Sequence, residues 1–382
     1  MLFRLAVTPG ETDWAPVDPI TQAALGAIVG ALMLGRQLGR PAIGWGALFG
    51  LLPGIDFLLL PFVDTVWDLR IHRGFTHSLL FVVPLAWLLA KPLSKRWKKH
   101  KVTPARAGWF VFLALAGHVL LACFTVSGAQ VLWPVPMPPV SLDNLPASDP
   151  LFALPLLVAV VRGLFIEAKR WKKGAGLRFT AVCLAISSAY VGVSFWAKSA
   201  VSRAAVADLD RRGISWQRKM EAPAPCSILL WRVVARHGDE LWVGYRSIFD
   251  GDKPLQWTIF RKDTAALDEW DEHAEVATVR WISKDWCLGR PRAGGIWLVD
   301  LRFGEYREWD ARGLALRPVH AWDYRLETRG DPMKTTIKDD RDTKAMMARL
   351  WRRICGDQEG WEDRPRLIGD PGRPHEFLGS VR

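Results

Sequence analysis

Between residues 19 and 197 long apolar stretches alternate with short basic ones, and nothing else in the chain limits its fold as strongly. Six stretches, about 19–35, 41–62, 77–91, 108–126, 150–166 and 178–197, approach the length that crosses a hydrocarbon layer of roughly 30 Å. They predict a mainly α-helical, polytopic membrane domain of about six transmembrane helices. The third and fifth are short, so they can tilt little and must lean on neighbours. Gly26 and Gly30, four residues apart, suit close packing of the first helix against another.

Charge enters because its position orients the helices. The formal net charge of +12 suggests nucleic acid as a partner until it is mapped. Nineteen of the 51 Lys and Arg lie before residue 200 against nine acids, whereas the rest of the chain is nearly balanced. The excess falls in two runs between apolar stretches, KPLSKRWKKHKVTPAR (91–106) and KRWKKGAGLR (169–178), the pattern of cytoplasmic membrane loops. No nucleic-acid partner is expected. With Arg36 and Arg40 after the first span, the basic loops predict an external N-terminus, external loops 63–76 and 127–149, and an external tail from about 198. The protein is therefore expected in a bacterial-type inner membrane, with membrane lipid around it. Trp14, Trp67, Trp109, Trp133 and Trp196 fall at span ends, where interfacial anchors belong.

No cleavable signal peptide is expected, because the first seventeen residues lack a continuous apolar core. The five cysteines, Cys123, Cys183, Cys226, Cys287 and Cys355, show no C-x-x-C spacing, which excludes a zinc ribbon and leaves room for one disulfide among the last three.

From about 200 the texture changes to alternating apolar and polar runs. SILLWRVVARHGDELWVGYRSIF (227–249) reads as two strands around an HGDE turn, and 255–262, 277–284 and 295–303 read as further strands. A helical pattern follows at 343–355. The organisation expected is an external segment 1–17, a transmembrane domain 18–198, a small β-rich extracytoplasmic domain 199–360 with a partner of its own, and a loose tail 361–382.

Ionisable residues in membrane helices are costly and mark function by default. On the expected topology they gather at one depth. Asp18 and Gln22 start the first span, Asp56 lies in the outer half of the second, and His72, Arg73 and His77 precede the third. His118 and Thr125 lie toward the outer end of the fourth. In HRGFTHS (72–78) two imidazoles five residues apart, with a glycine between them, can converge on one ion. Asp56 and His118 would complete three nitrogens and one oxygen, a set suited to zinc or another borderline divalent metal. Arg73 would then be free to hold an anionic oxygen. The purely structural alternative makes Thr76 the cap of the third span, ties His77 to backbone and gives Arg73 to lipid headgroups.

At these motifs the chain resembles the membrane-bound metal-dependent hydrolases, the YdjM-like inner-membrane family. That family's pattern runs D-x-x-T-H, P-D-x-D, H-R-G-x-T-H-S and H-x-x-x-D-x-x-T-x-x-G. The corresponding segments here are DPITQ (18–22), PGID (53–56), HRGFTHS (72–78) and HVLLACFTVSG (118–128). SDPLFALPLL (148–157) and PAPCSILLWRVV (223–234) extend the likeness to about residue 250. The chain departs at three positions: Gln22 replaces a histidine, Gly54 an aspartate and Ala122 an aspartate. The resemblance implies a metal-dependent hydrolase with an external β-rich tail.

Two functions follow. In the first, Asp56, His72, His77 and His118 hold one divalent ion that activates water against an ester, with a phosphoester of a lipid or lipid-linked substrate expected, Arg73 stabilising charge, Asp18 orienting the water and Asp149 offering a further oxygen. In the second, the lost ligands mark an inactive scaffold that presents the external domain to a partner. Transport is disfavoured, because spans five and six carry little polar besides Ser187, Ser188 and Ser194.

Overall fold

A computed structural model describes residues 19–56, 63, 65–261, 267–292, 295–305, 318–325, 333–334 and 343–358. Asp18, Trp14, the segment 1–17 and the tail 361–382 lie outside the described residues. The chain divides into two compact units, one built on 17–200 with 222–228 and the other on 201–221 with 229–382.

The first unit is helical: α1 (Pro19–Leu38), α2 (Pro41–Leu51), α3 (Thr65–Ile71), α4 (Leu79–Arg96), α5 (Pro104–Phe124), α6 (Pro150–Phe165), α7 (Ala168–Lys172) and α8 (Leu177–Arg211). Proline stands at the first helical position of α2, α5 and α6, where its missing N–H costs nothing. Among the described residues four helical stretches are long and apolar enough to cross a membrane: Pro19–Leu38, Leu69–Arg96, Pro104–Phe124 and Leu177–Arg211. Helix α2 has 11 residues before a 3-10 turn over 52–56, so its helical part covers only about 17 Å. Helix α6, with 16 residues, reaches about 24 Å.

Large apolar side chains such as Trp87, Leu88, Phe165 and Val182 point outward, while Leu34, Phe49, Val82, Phe110 and Leu115 form a closed core between α1, α2, α4 and α5. Lipid-facing helices require this inverted surface, because the solvent they meet is itself apolar. The closest contact is between α1 and α2. A Cβ on Gly26 would lie 2.3 Å from the Gly46 carbonyl oxygen, and one on Gly46 would lie 2.2 Å from that of Gly26. Backbone therefore meets backbone there, and Gly50, at the end of α2, is carried against Gln22.

Among its described residues the second unit contains two antiparallel four-stranded sheets. In the first, β1 (Arg218–Pro223), β2 (Leu230–His237), β3 (Glu240–Ser247) and β4 (Trp257–Arg261) are neighbours in chain order. His237 pairs with Glu240, so the HGDE segment is a two-residue turn with Gly238 at φ 56°. The second sheet is β5 (Cys287–Arg292), β6 (Gly295–Glu305), β7 (Pro318–Arg325) and β8 (Met333–Lys334). A helix, Thr343–Ile354, follows where its pattern predicts one. Its Arg353 forms a buried pair with Asp250 at 2.8 Å.

One expected strand is absent. Residues 277–284 belong to a helix, Ala274–Ile282, and its turn, not to a strand. Its buried Val276, Val279 and Ile282 recur every third residue, a helical spacing that the β-branched composition obscured. No disulfide joins any of the five cysteines.

Candidate metal centre

The segment HRGFTHS leaves α3 at Ile71, turns through Arg73 and Gly74, and passes through a 3-10 turn at Phe75–His77 into α4. A side chain on Gly74 would put its Cβ 2.8 Å from the Ile71 carbonyl oxygen, so this tight turn admits only glycine. Ser78, not Thr76, caps α4: its hydroxyl accepts the Phe81 N–H at 3.2 Å. Thr76 instead turns its hydroxyl to His77 Nδ1, 3.1 Å away.

Arg73 holds the turn together. It sits at φ 52°, a left-handed conformation that costs a side-chain-bearing residue about 1 kcal/mol or more unless its surroundings enforce it. They do. Its N–H donates to Asp56 Oδ2 at 2.8 Å, its carbonyl accepts the Gln130 N–H at 2.9 Å, and its guanidinium donates to the Gly128 carbonyl at 3.2 Å and to Thr125 Oγ1 at 3.4 Å. The guanidinium is thus buried and engaged with the 125–130 segment, rather than free for an anion as the sequence suggested. Gln130, which no sequence motif marks, donates from its amide to the carbonyls of Arg70 at 2.7 Å and His72 at 3.2 Å. A single glutamine in a proline-rich loop has no spacing that would single it out.

Asp56, His72, His77 and His118 do come together. His77 Nδ1 lies 3.7 Å and His72 Nδ1 4.0 Å from Asp56 Oδ2. The other nitrogen of His77 faces away from them, with its Nε2 3.1 Å from His118 Nε2. His118 Nδ1 in turn lies 2.6 Å from the Gly50 carbonyl oxygen. A carbonyl only accepts, so His118 carries its hydrogen on Nδ1 and accepts at Nε2 from His77. Neutral His77 then keeps its lone pair on Nδ1, the side of Asp56. One ring therefore divides the four residues into two lobes: Asp56 and His72 on one side of His77, and His118 on the other.

The remaining sequence-derived residues fall around this frame. Gln22 is buried on α1 and donates to the His118 carbonyl at 3.4 Å, while its Oε1 has no hydrogen-bond partner among the described residues. Thr125 Oγ1 donates to the Ala122 carbonyl at 2.8 Å. Asp149 does not join the cluster. One of its oxygens caps α6 through the N–H groups of Leu151 and Phe152, and the other accepts the Tyr190 hydroxyl at 2.8 Å. Burial nevertheless pushes its carboxyl above the usual range, against those hydrogen bonds.

A tetrahedral zinc site with bonds near 2.1 Å places its ligand atoms about 3.4 Å apart. The distances of 3.7 and 4.0 Å around Asp56 Oδ2 exceed this by a few tenths of an ångström. Among the described residues no group of three or more His, Cys, Asp or Glu is arranged so that it could hold a metal ion. The donor types nevertheless fit: two imidazoles and a carboxylate whose second contact, the Arg73 N–H, fixes its orientation.

Residues 17–201 match the model of the YdjM inner membrane protein family. This membrane part of the chain is similar to that family, and the match ends before the β-rich unit. The chain is also 35% identical over 120 residues to inner membrane protein YbcI of Escherichia coli (strain K12), an alignment covering 30% of this chain and 66% of that relative. No solved structure matches.

Proposed function

We propose that the chain is a metal-dependent hydrolase of the inner membrane, acting on a phosphoester of a lipid or lipid-linked substrate at the outer face. The observation that carries this reading is the approach of His72 Nδ1 and His77 Nδ1 to one oxygen of Asp56. Two histidines and one carboxylate leave coordination positions open, as catalytic sites require. A divalent ion bound there would supply Lewis acidity and an activated water. Asp56 would bring the negative charge, oriented by the Arg73 N–H. His118 would fix the His77 tautomer so that its lone pair faces the ion.

The six-span topology with an extracytoplasmic β-rich unit belongs to the same proposal. It rests on the basic runs at 91–106 and 169–178, on three long apolar helices beyond α1, and on α2 and α6 as short segments that protein neighbours help to accommodate. That orientation puts 72–77 on the outer side. The test is hydrolysis of phosphoester lipids in mixed micelles by the purified full chain. Activity that EDTA removes, that added Zn²⁺ or Mn²⁺ restores and that Asp56→Asn lacks supports the proposal. Activity equal in wild type and Asp56→Asn refutes it.

A second reading, an inactive scaffold presenting the β-rich unit to a protein partner, is favoured by the guanidinium of Arg73, which is spent on Gly128 and Thr125. Under that reading the micelle assay gives no turnover with any metal.

A further inference from the structure

We infer that the loop 131–142, between α5 and α6, is an interfacial anchor that sets its apolar side chains among the lipids of the leaflet at that end of the helical unit. The inference goes beyond the hydrolase reading and does not depend on it.

From Val126 to Leu142 the sequence carries no charged residue. A connection that runs over a surface in water is ordinarily polar, because solvent satisfies its backbone and side chains. This one turns apolar groups outward instead. Leu132 is 48% exposed, Val135 50% and Met137 47%, and Val140 and Leu142 are exposed as well. Apolar exposure gathered in one segment marks a surface that meets lipid or protein.

Two observations favour lipid. The first is continuity with a helix of spanning length. The Val131 carbonyl accepts the Leu79 N–H at 2.9 Å, and the Trp133 ring meets that of Phe75 edge to face at 5.5 Å. Phase for phase the exposure carries on: Phe75, Leu79, Leu80 and Val83 also face outward, within the apolar stretch Leu69–Arg96 that is long enough to cross a membrane. The loop therefore extends the outward apolar face of α4. Trp133 lies at the join, where an amphipathic ring suits the headgroup level.

The second is the backbone. A non-helical segment enters an apolar medium only if its polar backbone groups are met. Pro134, Pro136, Pro138 and Pro139 have no N–H to satisfy. The N–H groups of Trp133, Val135 and Met137 donate to carbonyls within the segment, those of Gln130, Leu132 and Val135, at 3.0, 2.9 and 2.7 Å. A loop so built asks little of water and loses little when water leaves.

The loop is also fixed at its base. Ala129 and Val140 exchange backbone hydrogen bonds at 3.1 and 2.8 Å, and the Leu142 N–H donates to the Cys123 carbonyl at 2.7 Å. Gly128, at φ 68°, closes on Val140, whose carbonyl oxygen would lie 2.6 Å from a Cβ there. A loop held in this way pays little ordering entropy on entering the interface. Through the Gln130 N–H, which donates to the Arg73 carbonyl at 2.9 Å, the same anchor holds the turn bearing His72 and His77 at the lipid boundary.

The test is the depth of a fluorophore on the loop of the full chain in nanodiscs of phosphatidylethanolamine and phosphatidylglycerol. Cys226→Ser and Cys355→Ser remove the two cysteines that are not buried. Met137→Cys is then labelled with an environment-sensitive dye, beside Leu88→Cys on the outward face of α4 as the lipid control and Lys99→Cys in the basic α4–α5 link as the aqueous control. The dye at 137 is expected about 5–10 Å into the headgroup and acyl boundary, where interfacial segments rest. Its emission should be blue-shifted from that at 99, quenched by lipids brominated near the glycerol end of the acyl chains as at 88, and protected from iodide. Iodide quenching as strong as at 99 overturns the inference, since the loop then lies in water. Protection from both quenchers overturns it too, since protein then covers the loop, whether a second copy or another part of the chain. If Met137→Cys does not purify, Val135→Cys is read in the same way. None of these outcomes bears on hydrolysis, which the micelle assay decides separately.

Discussion

His77 and His118 meet edge to edge through their Nε2 atoms at 3.1 Å, and His118 is anchored from its far side by the Gly50 carbonyl at 2.6 Å. The relay runs from the end of α2 through α5 to the start of α4, so it joins three helices. Replacing His118 by Leu strands a buried carbonyl and a buried imidazole N–H, at about 2–3 kcal/mol. The melting temperature in detergent should fall accordingly, and His118→Gln, which can still donate and accept, should recover part of the loss. Equal melting of His118→Leu and wild type would contradict the relay.

The glycine contact between α1 and α2 sets the position of Gly50. Gly46→Ala would drive a methyl carbon to 2.2 Å from the Gly26 carbonyl oxygen, so the helices must separate. The expected cost is about 1–3 kcal/mol, read as a lower midpoint of thermal unfolding. Gly44→Ala, where a Cβ meets nothing within 4 Å, should be neutral.

Arg73 offers a prediction that separates a structural role from a catalytic one. Its guanidinium ties the histidine turn to Gly128 and Thr125 from a left-handed backbone position. Arg73→Ala should therefore destabilise by about 2–3 kcal/mol and open the 127–142 loop to protease. A free anion-binding arginine would leave loop protection unchanged and alter only substrate affinity.

Asp149→Ala should cost about 1 kcal/mol through loss of the α6 cap and leave metal content unchanged. A loss of bound metal would mean that Asp149 serves the site after all.

Four of the six expected spans, and the approach of Asp56, His72, His77 and His118, were legible in the sequence because both depend on spacing; the stretches at 41–62 and 150–166 fold as helices of 11 and 16 residues, shorter than the other four. Apolar length marks the spans, and HRGFTHS brings two imidazoles into one turn whatever surrounds it. The division of the cluster was not legible. It depends on which nitrogen of His77 faces which neighbour, and that is set by a backbone carbonyl, Gly50, which no side-chain pattern reveals. The same reason hid Gln130, whose partners are the carbonyls of Arg70 and His72. Ser78 and Thr76 are both capping residue types, and only the 3-10 turn decides between them. In the β-rich unit, Val276, Val279 and Ile282 carried a helical period inside a segment of strand-like composition.

Metal content tests the account most directly. Full-length protein purified in detergent without chelator should carry a transition metal, and His77→Ala should lose it, since His77 is the ring on which both lobes meet. Wild-type protein with less than about a tenth of an equivalent of metal, unchanged by His77→Ala, would contradict the account.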